Sequence, residues 1–320
     1  MTEHSTAAAV REMTPSDEPK TGIEVPTGAA TVAVADVHVR YRTPSTERAA
    51  AAAGSPLLRA ANRALGRSPH VLVRALSGIS FVARAGESIG IIGRNGSGKS
   101  TLLRVIAGLE TPARGSVLAE STPVLLGVNA ALLPHLSGER NVVLGLLAMG
   151  KTPAEAEQLT PEIVELAGIG RAIYLPMRTY SSGMASRLRF AIAAAAEPNI
   201  LLIDEALATG DAAFKERSEL KMAELRARAG TVFLVSHAAQ TVEEMCTRAI
   251  WLDKGRVILD GPAYETAQQY RWWSWNVAKG ETDKAEGLLQ SALAQRKETV
   301  VELTEPDPPG TVPRHARRTP

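Results

Sequence analysis

Two kinds of hydrophobic pattern alternate along most of the chain. Residues 31–40 alternate apolar and polar side chains, which is typical of a strand with one exposed face, and strand character returns over 76–83. From residue 87 onward, continuous apolar runs are separated by stretches of helical period. Uninterrupted apolar runs are typical of parallel strands that helices cover on both faces. The pattern therefore predicts an α/β fold that begins with half-buried strands.

The order of these runs gives the predicted elements of the main sheet. The apolar runs stand at 88–93, 123–128, 199–204 and 231–236, and helical patterns stand at 99–108, 153–168 and 212–230. Two short apolar segments flank Lys254-Gly255, which predicts a hairpin that ends near residue 262. Helical character follows the hairpin. No fixed-period repeat is present, so a solenoid is not expected.

Composition divides the chain into regions. Residues 1–30 and 304–320 are rich in Thr, Ser and Pro without periodicity, which predicts disordered tails. Residues 43–70 are rich in Ala, Arg and Pro, and we interpret them as a long insertion between the first two strands. We expect one α/β domain over 31–265 and a helical C-terminal extension over 266–303.

Three tryptophans lie on the predicted C-terminal helix, namely Trp272, Trp273 and Trp275. Such a group either anchors a protein at a membrane interface or packs against its own domain. Aromatic side chains on a terminal helix more often pack, so packing is the expected role.

Charge and cysteine usage exclude several classes of protein. The net charge is +2, so no whole-molecule field would recruit nucleic acid, and we expect no nucleic-acid partner. The longest nearly apolar stretch, 142–150, is about half of the ~20 residues that a bilayer crossing needs. The first 20 residues mix acids and bases without an apolar core, which predicts a cytoplasmic location. A single cysteine, Cys246, excludes an internal disulfide framework.

A phosphate-binding motif follows the first predicted parallel strand. Gly93-x-x-x-x-Gly98-Lys99-Ser100 stands between an apolar strand and a good helix former, the setting of a P-loop. Small residues let backbone N–H groups approach phosphate oxygens at a helix N-terminus. Lys99 would supply a charge to the β- and γ-phosphates, and the Ser100 hydroxyl would be a ligand for Mg²⁺. The predicted nucleotide-binding segment comprises Gly93, Arg94, Asn95, Gly96, Ser97, Gly98, Lys99, Ser100 and Thr101.

Polar residues end two later apolar strands. Asp204 and Glu205 follow the run at 199–204, where an aspartate can bind hydrated Mg²⁺ and a glutamate can polarise a water molecule. His237 follows the run at 231–236, and a side chain at the carboxyl end of a parallel strand points into the ligand crevice. A solvated charge pair and a hydrogen-bonded histidine are the alternative interpretations.

The block TYSSGMASRLRFAIAAAAEPNILLIDEALATGD, residues 179–211, resembles the signature helix, Walker B motif and D-loop of ABC transporter ATPases. It is most similar to the subfamily that exports lipid-linked polysaccharides such as O-antigen, teichoic acid and cell-wall galactan. That group has YSSGM where most relatives have LSGGQ. The similarity runs from about Tyr41 to Gly261. It implies a P-loop ABC-type α/β domain with an antiparallel β subdomain and an α-helical signature subdomain, working as a homodimer.

The resemblance also implies roles for individual residues. Tyr41 would stack on adenine, Ser181 and Gly183 would contact the γ-phosphate held by the other subunit, Glu205 would be the catalytic base, Asp211 the D-loop aspartate and His237 the switch histidine. From the residues alone, Tyr41 is equally compatible with a place in the core. Ser181 is equally compatible with capping its own helix, because the cap and the phosphate contact use the same exposed donors.

One position departs from the pattern of the family. Most transporter ATPases have a glutamine between the P-loop helix and the signature helix that binds Mg²⁺ and senses the membrane subunit. This chain has none, and Val128 or Asn129 lies nearest that place. The following segment ALLPHLSGERN still resembles the part of the family that accepts a helix of the membrane subunit.

Together these observations predict the ATP- and Mg²⁺-dependent subunit of an exporter at the cytoplasmic face of the plasma membrane. Its partners would be a second copy, a polytopic permease and, through the permease, a lipid-linked glycan. The alternatives are a transporter ATPase for another cargo and a non-transport ABC ATPase. The second is disfavoured by the single P-loop and the lack of sustained heptads.

Overall fold

A six-stranded sheet forms the centre of the molecule, and all of its strands but one run parallel. In the computed structural model, the residues described are 9–13, 28–44, 70–126, 132–204, 212–297 and 299–304. The strands are β1 (Ala9–Met13), β2 (Ala30–Pro44), β3 (His70–Arg84), β4 (Ser88–Ile92), β5 (Arg114–Ala119), β6 (Val124–Leu125), β7 (Ile200–Asp204), β8 (Thr231–Val235), β9 (Arg248–Asp253), β10 (Arg256–Pro262) and β11 (Val300–Thr304). The central sheet has the order β10-β9-β4-β8-β7-β6, with β10 antiparallel.

Eight α-helices accompany these strands in the described part of the chain. They are α1 (Lys99–Ile106), α2 (Gly138–Ala148), α3 (Pro153–Ala167), α4 (Ser182–Ala195), α5 (Ala212–Arg228), α6 (Ala239–Met245), α7 (Ala263–Lys279) and α8 (Thr282–Gln295). Two 3₁₀-helices, Gly170–Tyr174 and Met177–Thr179, lie between α3 and α4. None of the described helices is both long enough and apolar enough to cross a bilayer.

The parallel strands are buried as the sequence predicts. Every residue of β8 is buried, and so are the first four residues of β7. One core cluster lies between this sheet, α1 and the antiparallel sheet, and another packs β7 and β8 against α4 and α5. The predicted α/β fold with an antiparallel β subdomain and a helical subdomain is confirmed.

The antiparallel sheet has the order β3-β2-β5, and its two long strands exceed their predicted lengths. The sequence predicts strands at 31–40 and 76–83, whereas β2 and β3 have 15 residues each. Their added ends pair only with one another, and the Leu72 and Val73 side chains there are about half exposed. At these ends apolar and polar side chains no longer alternate between a buried and an exposed face. The sequence pattern therefore does not indicate that the strands continue there. The predicted insertion narrows to 45–69, which lies outside the described residues.

A separate hydrophobic cluster holds α2, α3 and α4 together as the helical subdomain. Helix α3 begins with a capping box, in which Thr152 and Glu155 each bond the other's backbone N–H group, and Pro153 occupies its first turn. The stretch 142–150 lies largely within α2, where Val142 and Leu146 are fully buried. Its apolar character therefore serves the core of this subdomain.

The C-terminal helices pack on the hairpin of β9 and β10. The Trp273 ring lies 5.2 Å from the Trp251 ring, and Tyr270 contacts both. Trp273 is buried, but the side chains of Trp272 and Trp275 are 57% and 46% exposed. The expectation that all three helix tryptophans pack is therefore right for Trp273 and wrong for the other two, because Trp272 and Trp275 border an open groove between α7 and α8.

A partly buried ion cluster fixes the start of β9 to its neighbours. Arg248 donates from Nε and Nη2 to the two carboxylate oxygens of Asp260, at 2.6 and 2.7 Å, and from Nη1 to Glu87 at 3.3 Å. It also donates to the carbonyl of Val82 at 2.8 Å. Burial opposes the charge of Arg248, but the two carboxylates outweigh it and raise the pKa of the guanidinium.

Residues near both ends of the sequence form a small sheet of their own. Strand β1 pairs antiparallel with β11 over five residue pairs, from Ala9 with Thr304 to Met13 with Val300. The sequence predicts no regular structure in 1–30, so β1 is a correction to that expectation. Its partner is almost three hundred residues away, and no local pattern can indicate such pairing.

Candidate functional site

The P-loop connects the end of β4 to the first turn of α1. Gly93 and Gly98 have φ angles of 152° and 106°. A Cβ at Gly93 would collide with the carbonyl oxygen of Leu252, and one at Gly98 would come within 2.7 Å of that of Ala75. Both positions therefore require glycine, because the backbone is left-handed and neighbouring main chain lies against it.

Lys99 bends back over this loop. Its ammonium group donates to the carbonyl of Gly93 at 2.6 Å and to that of Arg94 at 3.0 Å, and the residue is only 9% exposed. The hydroxyl of Ser97 is buried and has no hydrogen-bond partner within the described residues. A buried cation and an unpaired hydroxyl at the N-terminus of a helix fit an anionic, phosphate-like ligand.

The loop opens into a cavity of about 530 Å³, here called the P-loop cavity. Its lining residues are Asn95, Gly96, Gly98, Lys99, Ser100, Thr101, Asp204, Val235 and His237. Asp204 ends β7, and His237 stands two residues beyond the end of β8. These strands are neighbours in the sheet, so their carboxyl ends bring both side chains to the crevice where ligands of open α/β sheets bind.

The same cavity fits a magnesium ion held jointly with phosphates. The Ser100 hydroxyl and the Asp204 carboxylate both line it, and hard oxygen ligands of this kind suit Mg²⁺. Within the described ranges, no group of three or more His, Cys, Asp or Glu residues could hold a metal without other ligands. A cation here would therefore take the rest of its coordination from phosphate oxygens and water.

Tyr41 lies beside the P-loop cavity and not in the core. It is 36% exposed and lines a shallow depression together with Ser100, Thr101 and Arg104. Partial burial and a hydrogen bond with the Glu110 carboxylate raise the pKa of its phenol, against a smaller lowering by Thr101. A nucleotide base can therefore reach the Tyr41 ring on the side of the loop where Thr101 lies. This supports a stacking role for Tyr41 over a place in the hydrophobic core.

Ser181 caps the signature helix in the structure. Its side chain accepts a hydrogen bond from the backbone N–H of Met184 at 3.2 Å, and both Ser181 and the following Ser182 are exposed. A Cβ at Gly183 would meet only the Ser181 hydroxyl, at 3.9 Å. No residue of α4 lines the P-loop cavity. Ser181 and Gly183 therefore do not meet Lys99 in the same P-loop cavity.

Several residues of the predicted site fall outside the described ranges. Glu205 and Asp211 lie in the segment 205–211, and Val128 with Asn129 lies in 127–131. Their roles stay predictions. The segment 205–211 directly follows β7, which ends at Asp204, and the segment 127–131 begins two residues after β6 ends at Leu125.

Sequence reasoning missed two residues that shape this region. Glu110, which follows α1, bonds Tyr41, and Val235 contributes a branched apolar side chain to the lining of the P-loop cavity. Neither belongs to a motif. The end of a buried strand was the available signal for Val235, whereas no sequence signal indicated Glu110.

Comparison with known proteins gives consistent results. The family model described as ABC transporter matches residues 76–208. The teichoic acids export ATP-binding protein TagH of Bacillus anthracis is 42% identical over 196 residues, which are 61% of this chain and 36% of that protein. The O-antigen export system ATP-binding protein RfbE of Yersinia enterocolitica is 42% identical over 192 residues, which are 60% of this chain and 80% of that protein.

A solved structure supports the fold independently. It is the dimeric, post-hydrolysis state of an ATP-binding cassette bound to ADP and phosphate, with a TM-score of 0.54 and 21% sequence identity. The match covers 72% of this chain and 98% of the other. At this level of identity the likeness concerns the fold. The match spans little more than a third of the TagH protein of Bacillus anthracis, so it does not cover all that this protein contains.

Proposed function

The chain belongs to the ABC transporter family of ATP-binding proteins, and on that premise we propose that it is the ATP-hydrolysing subunit of an exporter of lipid-linked polysaccharide. The observation that carries the proposal is the P-loop cavity. Lys99 and Ser100 at the start of α1 line this cavity together with Asp204 and His237, which come much later in the sequence, at the end of β7 and just beyond the end of β8. That set supplies a phosphate-binding cation, two oxygen ligands for Mg²⁺ and a polar group for the transferred phosphate.

ATP is the proposed ligand, with Tyr41 beneath its adenine. The depression that Tyr41 lines includes Ser100 and Thr101, which are part of the P-loop segment. A base stacked on the phenol would therefore continue directly into phosphates held over Lys99. When bound, Mg²⁺ would neutralise charge on the phosphates between Ser100 and Asp204.

Hydrolysis needs a group that orients and deprotonates water. We assign this role to Glu205, because it directly follows Asp204 in the sequence and Asp204 lines the P-loop cavity. His237 lines the cavity on the neighbouring strand and would contact the γ-phosphate or the attacking water.

Two chains would share each nucleotide. The P-loop cavity is lined by residues of β7, β8 and the P-loop, while the helix start at Ser181 contributes nothing to it. In a homodimer, Ser181, Gly183 and Asp211 of one chain would close the cavity of the other. The related cassette of known structure is a dimer, which supports this arrangement.

The proposed membrane partner is a polytopic permease that docks on the helical subdomain, which would place the chain at the cytoplasmic face of the plasma membrane. Exposed apolar side chains gather around α2 and the first 3₁₀-helix, among them Leu133, Leu144, Leu147, Tyr174 and Leu175. Exposed apolar surface of this kind marks a contact site. The cargo assignment follows the printed names of the relatives, which export teichoic acids and O-antigen.

Two measurements test the proposal. The purified chain should hydrolyse ATP in the presence of Mg²⁺, and Lys99→Ala should abolish the activity while Arg171→Ala, a charge removed from the exposed helical subdomain, should not. Affinity capture from detergent-solubilised membranes should recover a polytopic membrane protein with the chain. Depletion of the chain should lead to accumulation of a lipid-linked glycan. Hydrolysis with capture of a permease, but accumulation of another compound, would keep the ATPase role and refute the cargo.

A further inference from the structure

A second cavity, of about 550 Å³, shares no lining residue with the P-loop cavity. It lies between β2, β3, β10 and residues 296, 297 and 299–301, the last two of which begin β11. Five cationic side chains line it, namely Arg40, Arg74, Arg256, Arg296 and Lys297. We call it the arginine cavity.

The acidic residues of this cavity are already neutralised. Asp36 pairs with His38 and with Arg114, each at 2.9 Å. Asp260 is the bidentate partner of Arg248, which does not line the cavity. The five cations of the cavity therefore have no carboxylate left for them among its described lining residues.

Two of the arginines face one another directly. Arg40 of β2 is the cross-strand partner of Arg74 of β3, and both are exposed. Like charges that are directly opposite on antiparallel strands destabilise the pair. Neither has an ion-pair partner within the part of the chain that the structure describes, and the same holds for Arg256. An anion bound between the two guanidinium groups would relieve this repulsion.

We propose that the arginine cavity binds a phosphate-bearing small molecule or headgroup, at a site separate from the ATP site. Guanidinium groups present paired N–H donors that match two oxygens of a phosphate. Ser77, Ser80 and Thr299 add hydroxyl groups to the lining. The volume lies within the range of small-molecule sites and exceeds that needed for one phosphate, so the cavity has room for a diphosphate or an attached organic group.

This site does not depend on the proposed export function. Its walls are the antiparallel sheet, the hairpin strand β10 and the C-terminal segment. Among the described residues, none of these elements lines the P-loop cavity. If the chain did not hydrolyse ATP, the proposal for the arginine cavity would stand unchanged. If the arginine cavity bound no phosphate, the ATPase proposal would stand unchanged.

The direct test uses inorganic pyrophosphate as the probe. Because the P-loop also binds phosphates, the full-length chain carries Lys99→Ala in every titration, and binding is followed by calorimetry. The expected result is saturable binding, weakened about tenfold or more when Arg40→Ala and Arg74→Ala are added, since charge-assisted hydrogen bonds are lost. Arg40→Lys with Arg74→Lys should retain the charge and recover part of the affinity.

A matched control removes two charges elsewhere. Arg140→Ala with Arg171→Ala lowers the net charge equally on exposed helical surface, and pyrophosphate affinity should stay within about twofold of the parent. Thermal unfolding of every variant checks the fold. Removal of Arg40 and Arg74 should raise or preserve the melting temperature, because a repulsion is relieved.

A flotation assay separates the two sources of phosphate. The same variants are mixed with phosphatidylcholine vesicles that contain or lack phosphatidic acid. Pyrophosphate binding without flotation supports a soluble phosphate compound, and flotation that requires phosphatidic acid and Arg40 with Arg74 supports a lipid headgroup. Binding of neither probe overturns the proposal, and so does an equal loss in the Arg140 and Arg171 control.

Discussion

Mixed dimers can decide whether Ser181 only caps its own helix or also contacts the nucleotide bound by the partner chain. The residue caps α4 through Met184, so a capping role alone predicts a local effect. Loss of a serine cap costs about 1 kcal/mol, which corresponds to a shift of about 2 °C in the melting temperature of a chain of this size. The P-loop cavity contains no residue of α4, so this loss would leave the nucleotide site of the same chain intact.

The shared-site hypothesis predicts a different outcome. In homodimers, Lys99→Ala and Ser181→Arg would each damage both sites, and neither dimer would trap ATP. A dimer with one Lys99→Ala chain and one Ser181→Arg chain would concentrate both lesions in one site. The other site would pair an intact Lys99 with an intact Ser181, so one nucleotide per dimer is expected, against two for the unmodified pair.

Trapped ATP is the suitable readout, because turnover can require both sites to act together. Every chain carries Glu205→Gln, the two subunits carry different affinity tags, and dimers recovered through both tags are assayed for bound nucleotide. Ser181→Ala homodimers serve as the capping control. If mixed dimers hold no more ATP than either homodimer, and Ser181→Ala traps ATP normally, Ser181 is a helix cap and the shared site is refuted.

Four further outcomes follow from individual contacts. Glu205→Gln should bind ATP but lose most hydrolysis, measured by phosphate release, because the amide cannot accept a proton. Tyr41→Ala should weaken nucleotide affinity by about 1–3 kcal/mol, with recovery in Tyr41→Phe, as fluorescence titration with a labelled nucleotide can show. Arg248→Met should lower the free energy of unfolding by about 3 kcal/mol in urea titrations, because the buried Glu87 and the partly buried Asp260 lose their cation. Burial raises the pKa of Cys246 from 9.0 to about 11, so at pH 8 its alkylation should be about a hundredfold slower than in the denatured chain.

Each of these outcomes has a result that contradicts it. Unchanged turnover in Glu205→Gln would remove Glu205 from the role of base. A destabilised Tyr41→Ala with unaltered affinity would return Tyr41 to the core. An unchanged free energy of unfolding in Arg248→Met would contradict the third outcome. It would mean that protonation or hydration of Glu87 and Asp260 compensates fully for the lost guanidinium. Rapid alkylation of Cys246 in the native protein would indicate local opening around α6.

The central sheet and the P-loop could be predicted because their signals are local. Continuous apolar runs identify β4, β7 and β8, and the spacing from Gly93 to Ser100 is defined by the phosphates that such a loop holds. The convergence of Asp204 and His237 followed from topology, since neighbouring parallel strands end at the same edge.

The parts that escaped prediction depend on contacts between distant segments. Strands β1 and β11 pair across nearly the whole chain, and the arginine cavity needs β10 and residues 296, 297 and 299–301 to come beside β2 and β3. The different fates of the helix tryptophans depend on which face of α7 meets Trp251. Such features are determined by tertiary packing, which a pattern within one segment does not contain.

The four tryptophans differ in exposure, so the intrinsic fluorescence of the chain reports on its C-terminal helices. Trp251 and Trp273 share a buried aromatic cluster, whereas Trp272 and Trp275 are about half exposed, with the Lys279 ammonium 3.6 Å from the Trp275 ring centre. The emission spectrum should therefore contain a blue, iodide-resistant component and a red, quenchable one. Undocking of α7 from the hairpin would convert the first into the second. Detachment of the C-terminal helices can thus be followed in real time during nucleotide turnover without any label.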